Sequence, residues 1–149
     1  GPQHVPVNKT AAQARVRRVA ADWRLEVRGP RPFTLGLAEL EAGATTQADL
    51  PIACVEGWSV DARWHGLPLL DLVRRAGGNA DSTVYVHSLQ AHGAYSHSLI
   101  DGPQLAGALL ATHLNGERLD LDHGYPVRLI APDRAGVLNT KWLALVEVR

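Results

Sequence analysis

Cys54 is the only cysteine in a chain of 149 residues, so no internal disulfide explains it. A solitary thiol is either a small buried hydrophobe or a thiolate kept for its chemistry. Its neighbours favour chemistry. Ile52 and Val55 suit a buried strand, and Glu56-Gly57 turns the chain directly afterwards. A strand end opening into a loop is where binding groups tend to be built. The histidines offer a second source of chemistry. His87, His92 and His97 flank one expected hairpin, but their spacing fits no established zinc pattern and no second cysteine accompanies them. They read as hairpin histidines, with His65 and His97 as candidates to donate protons at a substrate mouth near neutral pH.

The run from Cys54 to Leu72 begins Cys54-Val55-Glu56-Gly57-Trp58-Ser59 and continues through Trp64-His65-Gly66 and Pro68. It resembles the motif around the molybdenum-ligating cysteine of the sulfite oxidase-type, molybdopterin-dependent oxidoreductases. A second block, His123-Gly124-Tyr125-Pro126-Val127-Arg128-Leu129-Ile130-Ala131-Pro132, resembles that family's pterin-phosphate segment and runs on through Gly136 to Asn139-Thr140-Lys141-Trp142. Two separated motifs in the family's order are more specific than either alone. The resemblance extends from about Pro6 to the end of the chain and is weakest over 32–50. It implies a molybdenum–molybdopterin cofactor.

By resemblance, Cys54 is the metal ligand and the catalytic-centre residue. A thiolate is the soft donor such a metal takes, and coordination keeps it deprotonated despite burial. Arg128 and Lys141 are the candidates for the cofactor phosphate, as an arginine fork and a compact ammonium. Each would ordinarily be a surface cation. Arg128, however, lies between Val127 and Leu129-Ile130, where an unpaired guanidinium is costly to bury. The loop from Gly136 to Thr140 offers backbone amides for an anion nest beside Lys141. Position by position, His123, Asn139 and Thr140 fall on cofactor-contacting sites of the family. So does Asn8, with Ala11 and Ala12 following as backbone contributors, and Ser88 once one residue is gapped between Ala76 and Ser88. The plain alternatives stay open: Asn8 caps a turn, and Ser88 is a satisfied strand hydroxyl. Trp58, Trp64 and Trp142 lie within the motifs and are expected to wall and dry the cavity.

The resemblance implies oxygen-atom or electron transfer on a small sulfoxide, N-oxide or oxo-anion, with the cofactor carrying the chemistry and the protein positioning it. Sulfite-oxidising members continue after the cysteine with an Asn-Arg-Arg-type run that helps hold sulfite. Here the continuation is Glu56-Gly57-Trp58-Ser59, nearer the reductase-like branch that includes the bacterial periplasmic methionine-sulfoxide reductase. Glu56 puts negative charge where a sulfite dianion would need positive. No Cys-x-x-Cys-His motif is present, so no haem is expected in this chain. Electrons would then pass to or from an unidentified partner, a membrane subunit or a missing N-terminal segment. The alternative function is a non-catalytic cofactor- or ligand-binding module on the same fold.

Bulk properties bound the rest. Fifteen basic and fifteen acidic side chains cancel, so nothing draws the chain to nucleic acid. The cancellation is uneven, because Lys9, Arg15, Arg17, Arg18, Arg24, Arg28 and Arg31 face only Asp22 and Glu26 in the first 31 positions. This reads as a solvated basic face, or as arginines approaching an anionic cofactor or acidic lipid. No apolar run approaches the roughly eighteen residues that span a bilayer. Gly1-Pro2 resembles a tag remnant, leaving 3–149 as one domain excised from a longer protein and expected to be monomeric. An extracytoplasmic or membrane-tethered parent follows from the resemblance alone.

The elements that must position these groups are short. Trp23, Leu25 and Val27 alternate with charge as a half-buried strand, Phe33–Leu35 follows as a second, and Leu37–Glu41 suggests a helix stopped at Gly43. Thr10–Ala21 has room for a helical turn or two. Asp49–Val55 reads as a buried strand and 68–76 as a helix with Pro68 at its first position and Gly77-Gly78 ending it. Val84–Leu89 and Ala94–Leu99 should pair around Gly93, and Asp101 should cap a helix from about Pro103 to Leu110. Asn115-Gly116 is a two-residue hairpin signal, and Val127–Ile130 and Trp142–Val148 close the domain as strands. The expected fold is α+β, with mixed or antiparallel sheets and short, scattered helices, not a doubly wound parallel sheet. By resemblance it is the sulfite oxidase-type molybdopterin-binding domain.

Overall fold

The computed structural model describes residues 1–50, 62–90, 96–132 and 139–149, together with the backbone of 52–53 and 59–60. The first sheet is built on alternation. In β1 (Arg24–Arg28) the charged residues face water while Leu25 and Val27 are buried. β2 (Phe33–Gly36) returns antiparallel against it and leads directly into helix α1 (Leu37–Ala42). Three later strands complete the sheet: β7 (Val84–Ser88), β8 (His97–Ile100) and the final strand β12 (Leu143–Val148). The order is β2-β1-β12-β7-β8, and only β1 and β12 run parallel within it.

The second sheet contains β3 (Thr46–Asp49), β6 (Arg63–Pro68), β9 (Leu109–Leu114) and β10 (Glu117–Arg118) in the order β10-β9-β6-β3, all antiparallel. β11 (Arg128–Ile130) also pairs with β9. Between β3 and β6 lies a two-stranded ribbon of β4 (Ile52–Ala53) and β5 (Ser59–Val60). Helices α2 (Leu69–Arg75) and α3 (Gly102–Gly107) join the two sheets. The main core brings together Leu25, Val86 and Val146 of the first sheet, Leu69 and Val73 of α2, Leu105 of α3, and Leu110 and Leu129 of the second sheet. A second cluster, with Trp64, Leu109, Ala111 and Ile130, covers the opposite face of the second sheet.

This mixed α+β architecture matches the fold class expected from the sequence, and most differences are at element edges. Pro68 ends β6 and precedes α2 as its N-cap, so the helix starts one residue later than expected. Its C-terminus is a Schellman motif, with Gly77 N–H on the Arg74 carbonyl, Gly78 N–H on the Val73 carbonyl, and Gly77 at φ 95°. The expected helix through Leu110 stops at Gly107, and Asp101 makes no side-chain cap. Leu109 and Leu110 open β9, which is buried on both faces, so neither its burial nor its sequence alternates. The strand expected at Asp49–Val55 is instead β3, at polar Thr46–Asp49 on a sheet edge, followed by the separate two-residue β4. β6 had no clear period to announce it. Thr10–Ala21 forms turns and no helix. Asn115 and Gly116 form the expected hairpin turn, with φ of 51° and 85°.

Gly66 shows how tightly the second sheet is drawn together. It sits at the irregularity in the β6–β9 pairing, and a β-carbon there would overlap the Leu110 carbonyl oxygen of the neighbouring strand. Gly66→Ala is expected to destabilise the chain by about 3 kcal/mol or more, because backbone and not a movable side chain is in the way. Urea unfolding measures the loss.

Candidate functional site

The site grows from the turn that precedes β11. Asp120 caps the short 3-10 turn Leu121–His123 by accepting from Asp122 N–H at 2.9 Å. The turn ends at Gly124, with φ of 109°. A β-carbon on Gly124 would lie 3.0 Å from the β-carbons of both Arg128 and Lys141. Glycine here supplies a left-handed conformation and lets two cationic stems pack on one backbone.

Arg128 leaves β11 as a buried side chain, 2% exposed. Its Nη1 donates to the His123 carbonyl at 3.1 Å and its Nη2 to the Asn139 carbonyl at 3.3 Å. The guanidinium carbon lies 5.2 Å from the centre of the Trp64 ring. Its Nε is buried without a hydrogen-bond partner.

Lys141 sits where the chain crosses between the sheets. Leu129 N–H donates to the Thr140 carbonyl and Leu143 N–H to the Val127 carbonyl, aligning this segment with β11. On the other side, the Ser88 hydroxyl at the end of β7 donates to the Lys141 carbonyl at 2.7 Å. Lys141 Nζ donates to the carbonyls of Lys9 and Asp122 at 2.7 and 2.8 Å. Among the described residues, no carboxylate forms an ion pair with either cation.

Burial lowers the Arg128 pKa to about 9, leaving it charged at neutral pH. Lys141 falls from 10.5 to about 7 through burial first and the nearby Arg128 charge second, with Asp122 opposing. His123 is lowered by burial, although its ring nitrogen Nε2 lies 2.7 Å from the Pro2 carbonyl. Folding therefore requires these groups to hold protons less tightly than the unfolded chain does. Between about pH 7 and 10.5 the unfolded state binds more protons at Lys141, so stability rises with pH; below about 7 both states are protonated and the folded chain bears the full cost. Restricting the window to pH 7–8 keeps Arg128 largely protonated. Over that window the stability of the cofactor-free chain is expected to rise, as part of a total on the order of 5 kcal/mol across the whole Lys141 titration. Urea titrations at several pH values check it, and Lys141→Met should flatten the slope.

The structure brings most of the expected site residues into one hydrogen-bonded network. Arg128 is bonded directly to the carbonyls of His123 and Asn139, Lys141 lies beside it at Gly124 and bonds Lys9 and Asp122, and Asn139 Oδ1 accepts from Ala131 N–H at 3.1 Å. The Thr140 hydroxyl is 2.8 Å from that of Ser98 on β8. Ser88 takes its satisfied-hydroxyl role, donating to Lys141 and accepting from Gln90 N–H, and so fixes the lysine's backbone. Asn8 adjoins Lys9, whose N–H it accepts, and Ala11 is buried beside the network while Ala12 is exposed. Cys54 follows directly on β4, but it, Trp58, His92 and Gly136 lie outside the described residues.

Other expectations separate from the site. Arg15, Arg17, Arg18, Arg24, Arg28 and Arg31 are exposed, as a solvated face should be, and Arg28 pairs with Glu26 and Glu147. His65 on β6 packs against His113, while His97 stacks on His87 in the other sheet. Trp64 and Trp142 are buried against the two cations. Sequence reasoning missed Asp122, whose only signal was its place immediately before the second motif. It also missed Ser98, which gave none.

Comparison with solved proteins defines the class of fold. The sulfane dehydrogenase SoxCD from Paracoccus pantotrophus superposes with a TM-score of 0.76 at 21% identity, covering 88% of this chain and 39% of that one. The domain therefore has the sulfite oxidase-type molybdopterin fold. Residues 10–149 match the family described as Oxidoreductase molybdopterin binding domain, and the chain belongs to that family.

Among its relatives, the uncharacterized oxidoreductase YuiH of Bacillus subtilis is 30% identical over 84% of this chain. The protein-methionine-sulfoxide reductase catalytic subunit MsrP of Xanthomonas campestris is 30% identical over 85%. Mitochondrial sulfite oxidase of Drosophila melanogaster is 36% identical, but over only 59%. The chain spans 64%, 44% and 17% of these three proteins respectively.

Proposed function

We propose that this chain is the molybdenum–molybdopterin domain of an oxidoreductase acting on a small sulfoxide, N-oxide or oxo-anion, with Cys54 as the protein's ligand to the metal. The observation that carries this reading is the pair of buried cations at Gly124. Arg128 and Lys141 converge there without an ion-paired carboxylate among the described residues, and Arg128 Nε is left without a partner. Such an arrangement is costly when empty and suits an anion. Its donor set fits the phosphate of the pterin cofactor.

When bound, the cofactor supplies oxygen-atom or electron transfer at molybdenum. The residues of the chain would divide the remaining work. Arg128 and Lys141 hold the phosphate, and Asn139 and Thr140 shape the loop beside it. Trp64 and Trp142 exclude water from the cations and so strengthen every charge interaction there. Asn8, Ala11 and Ala12 border the site from the N-terminal segment. Cys54 would tune the metal's electronics without attacking substrate.

Glu56 beside the metal would disfavour a sulfite dianion, and the reductase match spans more of the chain than the sulfite oxidase match. Reduction of an uncharged sulfoxide or N-oxide is accordingly the favoured direction. Electrons would come from a separate partner, with no haem in this chain, in an extracytoplasmic or membrane-tethered parent protein. No helix among the described residues is long and apolar enough to cross a membrane.

The test is to produce the chain in cells that synthesise the cofactor, measure molybdenum per chain, and assay dye-linked reduction of small sulfoxides. Stoichiometric metal with turnover is expected. Bound cofactor without turnover on any of these substrates would favour a binding module instead.

A further inference from the structure

Asp122 has no role in the reading above, yet it touches both sides of the site. Its carboxylate Oδ1 accepts from Ala11 N–H at 2.8 Å, and its backbone carbonyl accepts from Lys141 Nζ at 2.8 Å. Lys141 Nζ in turn donates to the Lys9 carbonyl at 2.7 Å. Lys9 C=O and Ala11 N–H are an acceptor and a donor two residues apart on one chain segment. Lys141 and Asp122 present the matching donor and acceptor, as a neighbouring strand would. Beyond this pair, Ala11, Ala14 and Val16 pack on Trp142 with Leu121 alongside, and Trp142 Nε1 donates to the Leu121 carbonyl.

We infer that Asp122 is a positioning residue of this site: with its carboxylate on the Ala11 amide and its carbonyl on the Lys141 ammonium, it clips the N-terminal strap of residues 8–16 against the cation pair. The inference rests on the proposed function, since it concerns the same anion site. Two consequences follow from the geometry. The strap residues expected to border the cofactor, Asn8, Ala11 and Ala12, are held at the site through Asp122 and Lys141. The carboxylate also counters the charges around Lys141: Arg128 and Lys9 disfavour its protonation, His123 lies close by, and Asp122 favours it. Asp122 therefore shifts Lys141 toward its charged form before an anion arrives.

Hydrogen exchange at the Ala11 amide, read against the core amide of Val86, tests the clip in the chain as it stands. Asp122→Ala is expected to accelerate Ala11 exchange about tenfold or more while Val86 is unchanged, as loss of one charge-assisted bond predicts. Asp122→Asn retains an oxygen acceptor and should keep most of that protection. It should nevertheless move the pH midpoint for binding inorganic phosphate downward, which a purely structural role would not do. Unaltered Ala11 exchange in Asp122→Ala, or an unmoved midpoint in Asp122→Asn, overturns the assignment. A wild-type chain that binds neither phosphate nor cofactor overturns the proposed function itself. Loss of Ala11 protection in Asp122→Ala would then leave Asp122 a strap anchor only.

Discussion

Arg128→Ala is expected to cut cofactor retention at least about 100-fold while leaving the chain folded. Each hydrogen bond from a charged donor is worth about 1.5–3 kcal/mol, so losing two to a phosphate amounts to ~3 kcal/mol or more, a factor of about 100. The effect on folding is smaller because two contributions oppose one another. Removing the side chain takes away a buried, partly unsatisfied charge, which is favourable. It also deprives the buried carbonyls of His123 and Asn139 of their donors, which is unfavourable. A net change within about 2 kcal/mol in either direction is expected. Arg128→Lys keeps a charge without the fork and should recover only part of the retention. Molybdenum and pterin per purified chain are the measurement. Normal cofactor content in Arg128→Ala would remove the phosphate assignment.

Cys54→Ala should have the complementary phenotype. The phosphate grip is untouched, so pterin content should survive, while reductase activity falls by more than the ~100-fold upper range typical of an outer partner to a metal ligand. Replacing one sulfur by hydrogen costs at most about 1–2 kcal/mol of packing, so the fold should persist. Comparing pterin content, turnover and the urea midpoint separates the outcomes. Unfolding of Cys54→Ala where the wild type survives would mean that the thiol is simply a buried hydrophobe. The two variants together divide the site into an anchor and a reactive centre.

How much was legible in advance depended on whether a residue announced itself by pattern. β1 alternates because one face meets water, so Leu25 and Val27 were readable as core. Helix α2 carried apolar residues at helical spacing, arginines in its last turn and a double-glycine stop. β9 did not alternate because both of its faces are covered, and its first residues looked like the end of a helix. β3 is a polar edge strand whose pairing with β6, not its composition, makes it a strand. The same division holds at the site. Arg128 was suspicious because its sequence neighbours are aliphatic, whereas Asp122 looked like any charged residue in a turn.

Residue types and their order were enough for the chemical inventory: a lone thiol, two cations within a recognisable motif, and enough alternation to require mixed sheets with short helices. Those are properties of residue type and spacing, and they survive without coordinates. Folding in three dimensions settled that Arg128 and Lys141 share one glycine, that both are buried, and that Asp122 joins the N-terminal strap to Lys141. The physical reason is that desolvation and hydrogen-bond partnership are set by chain segments far apart in sequence. Lys9 and Lys141 meet because two sheets and a turn bring them together.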